Sequence, residues 1–290
     1  MDRMKKIDIH LHLSYRHIPK IGAMYFSSGK DMLPHLDELS IGMGVLMSGG
    51  ENFVHIGSNR AVRAICRQFP DRYRWMCNVD CEHSETLEKR LALYKEQGAV
   101  GIGEIMIHKR LDDPFMERLF TAAERLNMPV LMHMSPSEGM GYGVIDDPGL
   151  PLLEKTLRNH PKLIVIGHSQ PFWHEITKDP PQDKESRNKW GEGPVVPGGR
   201  VVELLDCYPN LMCDLSANSG GHALMRDTGF GVAFAEKYQD RLMFGTDMFN
   251  KEMIFPLGEW LDKQHSAQLL SDSAYRKICH DNAVRILNLS

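Results

Sequence analysis

Hydrophobic positions along this chain gather into short runs, each followed by a longer stretch with helical spacing. The runs cover 6–13 (KIDIHLHL), 44–47 (GVLM), 73–79 (YRWMCNV), 99–107 (AVGIGEIMI), 129–134 (PVLMHM), 162–168 (KLIVIGH), 211–215 (LMCDL) and 241–246 (RLMFGT). Runs this short and this continuously apolar predict strands buried on both faces, as in a parallel sheet covered by helices. Between them, Ser84 opens a helix that closes at Gln97-Gly98, with Leu87, Leu91 and Tyr94 on its apolar stripe. Asp113-Pro114 opens another, which carries Phe115, Leu119, Ala122 and Ala123 inward before Asn127-Met128-Pro129 ends it. A last helix is predicted over 273–287. Strand and helix alternating eight times predict an α/β fold, a closed (β/α)8 or TIM barrel, as a single domain over 1–290. An open doubly wound sheet is the alternative, weakened because no Gly-rich fingerprint follows the first strand.

Regularity breaks once. After the sixth run, 170–199 holds Pro171, Pro180, Pro181, Pro194 and Pro197 among charged residues and glycines. So little apolar material cannot fold as a domain, so the segment is expected to be a long loop at the face where barrel loops shape the pocket.

Length and composition narrow the picture only in places. The 290 residues would allow two domains, but a barrel uses about 250 residues for one. A net charge of -4 with no Lys/Arg stripe gives nucleic acid nothing to bind, which leaves a small molecule as the expected partner. No apolar stretch approaches the roughly 20 residues of a membrane helix, and the N-terminus lacks a secretory apolar region, so a cytoplasmic protein is expected. Six cysteines are too sparse for a disulfide scaffold and are expected to be reduced.

The 14 histidines matter by position more than by number. Alternation along the first strand places Asp8, His10 and His12 on one side. A packed interior favours Val, Ile or Leu there, and two imidazoles near the strand end leave ring nitrogens unsatisfied unless something binds them. A divalent metal is the simplest satisfier. His133 ends strand five, His168 ends strand six, Asp247 follows strand eight and Glu104 lies in strand four, all at the end where barrel active sites form.

With those positions, the chain resembles the amidohydrolase superfamily, and in particular its amidohydrolase-related branch of single-domain barrel hydrolases and nonoxidative decarboxylases. The segments IDIHLHL, VLMHM, VIGHS, MFGTD and ICHDNAVRILNL carry the likeness over nearly the whole chain. The resemblance implies that His10, His12 and His133 bind metal and that Asp247 is both ligand and proton carrier. It implies that His168 is either a second-metal ligand or a base and electrophile beside the substrate. The carboxylated lysine of two-metal relatives has no counterpart in AVGIGEIMI, where Glu104 could replace it. GIGEI is also similar to the strand-four segment of TatD-like metal-dependent hydrolases, which favours a hydrolase with one or two ions, zinc being the first choice for mixed His and carboxylate ligands. The family also makes a homodimer an expectation.

A metal-activated water attacking a carbonyl (lactone, ester or amide) or phosphoryl centre is the expected chemistry, with Asp247 moving the proton. The alternative is nonoxidative decarboxylation of a small carboxylic acid, for which one ion suffices. A third class, a barrel that binds without turnover, predicts that replacing Asp247 leaves metal and ligand binding intact. Substrate contacts are sought on the loops after the strands: Arg16 and His17, Trp173 and His174, Asn218 and His222. Arg16 would clamp a carboxylate and Trp173 would wall a ring. His35, His55, His83, His160, His265 and His280 fall on helices or turns and read as structural.

Overall fold

A computed structural model describes residues 4–16, 18–21, 24–52 and 57–289. Eight parallel strands follow one another around the sheet: β1 (Lys6–Leu11), β2 (Ile41–Met47), β3 (Tyr73–Cys77), β4 (Ala99–Ile105), β5 (Val130–Ser135), β6 (Val165–His168), β7 (Leu211–Asp214) and β8 (Leu242–Met243). The two ends of the sheet meet. Ile9 N donates to Phe244 O at 3.0 Å, Asp247 N to His10 O at 2.8 Å and His12 N to Met248 O at 2.9 Å, so backbone bonding continues past the short β8 and closes the barrel.

Crossover helices α1 (Gly29–Glu38), α2 (Asn59–Gln68), α3 (Leu87–Glu96), α4 (Pro114–Arg125), α5 (Pro151–Asn159) and α6 (Arg200–Cys207) return the chain between the first seven strands. Their starts follow capping chemistry: Ser28, Ser58 and Asp113 each accept a backbone N–H of the first turn, and Pro114 occupies the first turn of α4. The predicted final helix is a helical run broken by a π turn, with Asp272–Arg276 and Asn282–Leu287 joined through Lys277–Asp281.

Two apolar bodies result. The larger fills the space between strands and helices. The smaller gathers Ile9, Val45, Met76, Leu131, Ile166 and Met212 with Leu287 of the closing helical run. Two positions beyond Leu131, Ile166 and Met212 stand His133, His168 and Asp214, so the same strand faces that build this plug carry polar side chains above it.

The segment after β6 is a long loop, with short helical pieces at Gln170–His174 and Lys184–Arg187. Arg187 is its anchor. The side chain is buried, and Nη1 donates to Pro136 O at 2.8 Å and to Asp146 O at 3.4 Å in the loop after β5. A fixed guanidinium thus ties two active-face loops together, which a sequence pattern of prolines and charges did not disclose.

Candidate metal centre

His10 and His12 converge at the end of β1. Their Nε2 atoms lie 3.0 Å apart, and His12 Nε2 lies 3.3 Å from Glu104 Oε2 and 3.1 Å from Asp247 Oδ1. His10 Nε2 is 3.4 Å from each of the same two oxygens. Two imidazole nitrogens and two carboxylate oxygens so placed form one ligand set. A second set stands across Glu104, whose other oxygen, Oε1, lies 2.7 Å from His133 Nδ1 and 3.5 Å from His168 Nε2. Glu104 therefore presents one oxygen to each pair of imidazoles. It is buried and faces inward, as the hydrolase reading of strand four requires.

Asp214 stands behind the imidazoles. Its Oδ2 lies 2.7 Å from His10 Nδ1, 3.1 Å from His168 Nδ1 and 2.7 Å from Ser216 Oγ. A carboxylate there accepts the Nδ1 protons, which leaves the Nε2 lone pairs of both histidines aimed at the ligand sets. Gly245 makes the approach possible, because a Cβ at that position would lie 2.9 Å from Asp214 Oδ1 and 3.3 Å from His10 Cβ. Asp247 takes a left-handed backbone, φ 63°, and its N–H holds His10 O, so the loop beyond β8 turns its carboxylate back over β1.

Electrostatics agree with the geometry. Burial works against a charged His10, yet the carboxylates of Asp247, Glu104 and Asp214 hold its pKa well above the ordinary value. His12 is raised by Asp247 and Glu104 against the same opposing burial. Burial likewise opposes the Glu104 carboxylate, but His10 and His133 hold it well below the usual range, and Asp214 and Asp247 are lowered by facing histidines. The centre is built to hold positive charge. His12 Nδ1 is buried with no hydrogen-bond partner among the described residues, none of which fixes its proton as Asp214 fixes that of His10. The residues present fit divalent ions: each set offers imidazole nitrogens and a carboxylate oxygen within reach of one point.

Asp8, expected beside the two histidines, is placed differently. The register of β1 shifts between Asp8 and Leu11, and the Asp8 carboxylate accepts from His10 N and Thr246 N at 3.0 Å each and from Thr246 Oγ1 at 2.5 Å. It ties β1 to β8 beneath the site, and burial pushes its pKa up to about 7 against the opposing hydrogen bonds from Thr246 and His10.

A cavity of 890 Å³ opens above the centre, bounded by His12, Glu104 and Asp247 at its floor. Phe26, Phe249, Met106 and Tyr142 form much of its wall. The Tyr142 ring lies 4.3 Å from that of His133, and the hydroxyl is pushed up to about 12 by burial and by the nearby Glu104 and Asp247 charges.

The substrate contacts expected from the loops stand elsewhere. Trp173 is buried against Phe172 and Phe234, and its indole N–H donates to Asp214 O at 3.0 Å, so it braces β7 from outside the cavity. His222 Nε2 meets Gly191 O at 2.9 Å and its ring lies 6.0 Å from Trp190, which fastens the long loop. Asn218 and the exposed Arg16 do not line the cavity, His174 is buried beside Trp173, and His17 lies outside the described residues. Among the histidines read as structural, His35 bonds Met253 O, His160 packs on Phe120, His265 stacks on Tyr275 and His280 bonds Asp281, while His83 is exposed and His55 lies outside the described residues. Sequence reasoning missed Asp214, Ser216 and Tyr142. Asp214 carried a signal, an acid at the end of a strand-length apolar run.

Comparisons with known proteins agree with this architecture. A family model described as "Amidohydrolase" matches residues 7–289. Among solved structures, an uncharacterized TIM-barrel protein from Bordetella bronchiseptica superposes with a TM-score of 0.66 at 17% identity, covering 98% of this chain and 99% of that one. A 2,6-dihydroxybenzoate decarboxylase from Rhizobium gives 0.65 at 15% identity, covering 99% of each chain. A probable 2-pyrone-4,6-dicarboxylic acid hydrolase from Acinetobacter baumannii, with citric acid bound, gives 0.58 at 17%, covering 99% of this chain and 100% of that one. No curated protein matches the sequence.

Proposed function

This chain belongs to the amidohydrolase family, whose model spans nearly all of it, and from that premise we propose that it is a hydrolase of a small carbonyl compound, acting with two divalent ions. The single observation that carries the reading is Glu104, with Oε2 facing His10 and His12 and Oε1 facing His133 and His168. His10, His12 and Asp247 would hold one ion, His133 and His168 the other, and Glu104 both. Such ions supply Lewis-acid polarisation and lower the pKa of water towards about 7. Mixed imidazole and carboxylate ligands make zinc the first choice.

The chain's own residues do the rest. Asp247, a quarter exposed at the cavity floor and held ionised by its histidine neighbours, takes one proton of the attacking water. Water oxygen joins the carbonyl carbon, the carbon–oxygen or carbon–nitrogen bond breaks, and the proton passes from Asp247 to the leaving group. His168 belongs to the second ligand set with Nδ1 held by Asp214, which leaves proton transfer to Asp247. The alternative in this family, nonoxidative decarboxylation, needs one ion and gives Glu104 no bridging role.

The test is a panel of lactones, esters, amides and aromatic acids offered to zinc- or manganese-loaded protein. The proposal expects turnover of a neutral carbonyl compound, lost by about 10²–10⁴-fold in Asp247→Asn. Release of carbon dioxide from an acid with no hydrolysis of any neutral compound would contradict it.

A further inference from the structure

Part of the cavity wall beyond the metal centre's own residues is acidic. Asp80 and Glu82, on the loop after β3, line it, and the described residues lining it include no lysine or arginine. Among the described residues, the cations of the neighbouring segments are engaged with other groups. Arg90 pairs with the Glu51 carboxylate through Nη1 and donates from Nη2 to the backbone oxygens of Asp80, Glu82 and His83. Lys109 pairs with Asp113 at 2.9 Å. The Asp80 carboxylate accepts from Glu51 N and from Asn52 Nδ2, both neutral donors, and no described cation pairs with the Glu82 carboxylate, which is exposed. Among the described residues, two negative charges without a paired cation therefore border the cavity, apart from those at its floor that face histidines.

The rest of the wall is apolar and aromatic. Phe26 and Phe249 stand with their rings 5.3 Å apart, and Met24, Met106 and Tyr142 continue the surface. We propose that the substrate is a carbonyl compound with a ring-sized apolar body and a cationic amine, the carbonyl set at the Glu104–Asp247 floor and the amine at Asp80 and Glu82. The proposal rests on the hydrolytic reading above only in bringing the carbonyl to that floor. The amine supplies the positive charge that the described wall lacks, while an anionic group there would meet the like charges of Asp80 and Glu82. Arg16, expected to clamp a carboxylate, lies off this cavity, which agrees with a site that selects against anions.

The test titrates zinc-loaded protein calorimetrically with three amides of one shape: 4-(aminomethyl)benzamide, 4-(hydroxymethyl)benzamide and 4-carbamoylbenzoate. The amine is expected to bind about fivefold more tightly than the alcohol, as a partly exposed ion pair would allow, with the acid weakest. In Glu82→Lys, a change at an exposed side chain, the preference of amine over alcohol disappears. An alcohol that binds as well as the amine, a ratio unmoved by Glu82→Lys, or no amine binding at millimolar concentration overturns the proposal. Binding is read without turnover, so the order of the three affinities tests the charge selection alone, whereas release of carbon dioxide with no hydrolysis of any neutral compound in the panel above would sink the hydrolytic reading and leave the charge selection standing.

Discussion

Asp214 sets the proton position of two imidazoles at once, since its Oδ2 meets His10 Nδ1 and His168 Nδ1 while Ser216 Oγ donates to the same oxygen. In Asp214→Asn the amide replaces an anionic acceptor with a neutral one, and either ring can turn its Nε2 lone pair away. Affinity for zinc, measured by competition with a chromogenic chelator, is expected to fall about 10–100-fold, while the far-ultraviolet circular dichroism is unchanged. Wild-type affinity in the variant would show that the carboxylate does not orient the ligands. His10, His12, His133, His168, Glu104 and Asp247 were legible in the sequence because each stands at or near a predicted strand end, where a barrel cannot bury an imidazole or carboxylate without a partner. Asp214 was not, because one acid near the end of a predicted apolar run reads equally as a residue where strand gives way to loop. Trp173 misled for a related reason: a bulky aromatic just past a strand packs down onto helices as readily as it faces the pocket.

The loop after β5 carries the next level of order, and it is held from several sides. Gly143, at φ 104°, leaves no room for a Cβ, which would lie 2.4 Å from His133 O, and His108 bonds both Gly143 O and Gly139 N. Arg187 reaches across from the loop after β6. Asp146 joins this loop to α5 by accepting the N–H groups of Leu152 and Leu153. Burial pushes the Asp146 carboxyl up from 3.8 to about 6, against those hydrogen bonds. A raised folded-state pKa means that the folded chain binds this proton more tightly than the unfolded chain. The contribution of Asp146 to stability therefore grows as pH falls from about 6 to about 4, and above that window its charged form costs up to about 3 kcal/mol at 1.36 kcal/mol per pH unit. Asp146→Asn, which keeps a neutral acceptor, is expected to gain on the wild type in urea unfolding at pH 7.5 and to lose that advantage at pH 4.5. An equal gap at both pH values would contradict this. The proline-rich sequence of the long loop foretold its place but not its anchor, because a buried arginine whose Nη atoms donate to distant carbonyl oxygens has no local sequence pattern.

The order of elements in the whole barrel was readable from runs of apolar residues, and the structure keeps all eight strands with a shorter β8 and a π turn in the closing helical run. What periodicity could not supply is the register shift in β1 that removes Asp8 from the ligand sets, because a bulge depends on the neighbouring strand. Among the described residues, no helix is long and apolar enough to cross a membrane. A barrel that gathers Glu104, Asp214 and Asp247 around four histidines gains stability when cations occupy the centre. At an ion concentration of about 100 times Kd, one site adds about 2.7 kcal/mol, so zinc or manganese is expected to raise the melting temperature by about 5 °C or more and a chelator to reverse it. An unchanged melting temperature would count against resident ions.

The central claim is that Glu104 lies between two ions, and anomalous diffraction from zinc-loaded crystals tests it most directly. Two peaks are expected, one beside His10, His12 and Asp247 and one beside His133 and His168, with a Glu104 oxygen against each. A single fully occupied peak that leaves Glu104 or His168 without a metal contact would contradict the two-ion account.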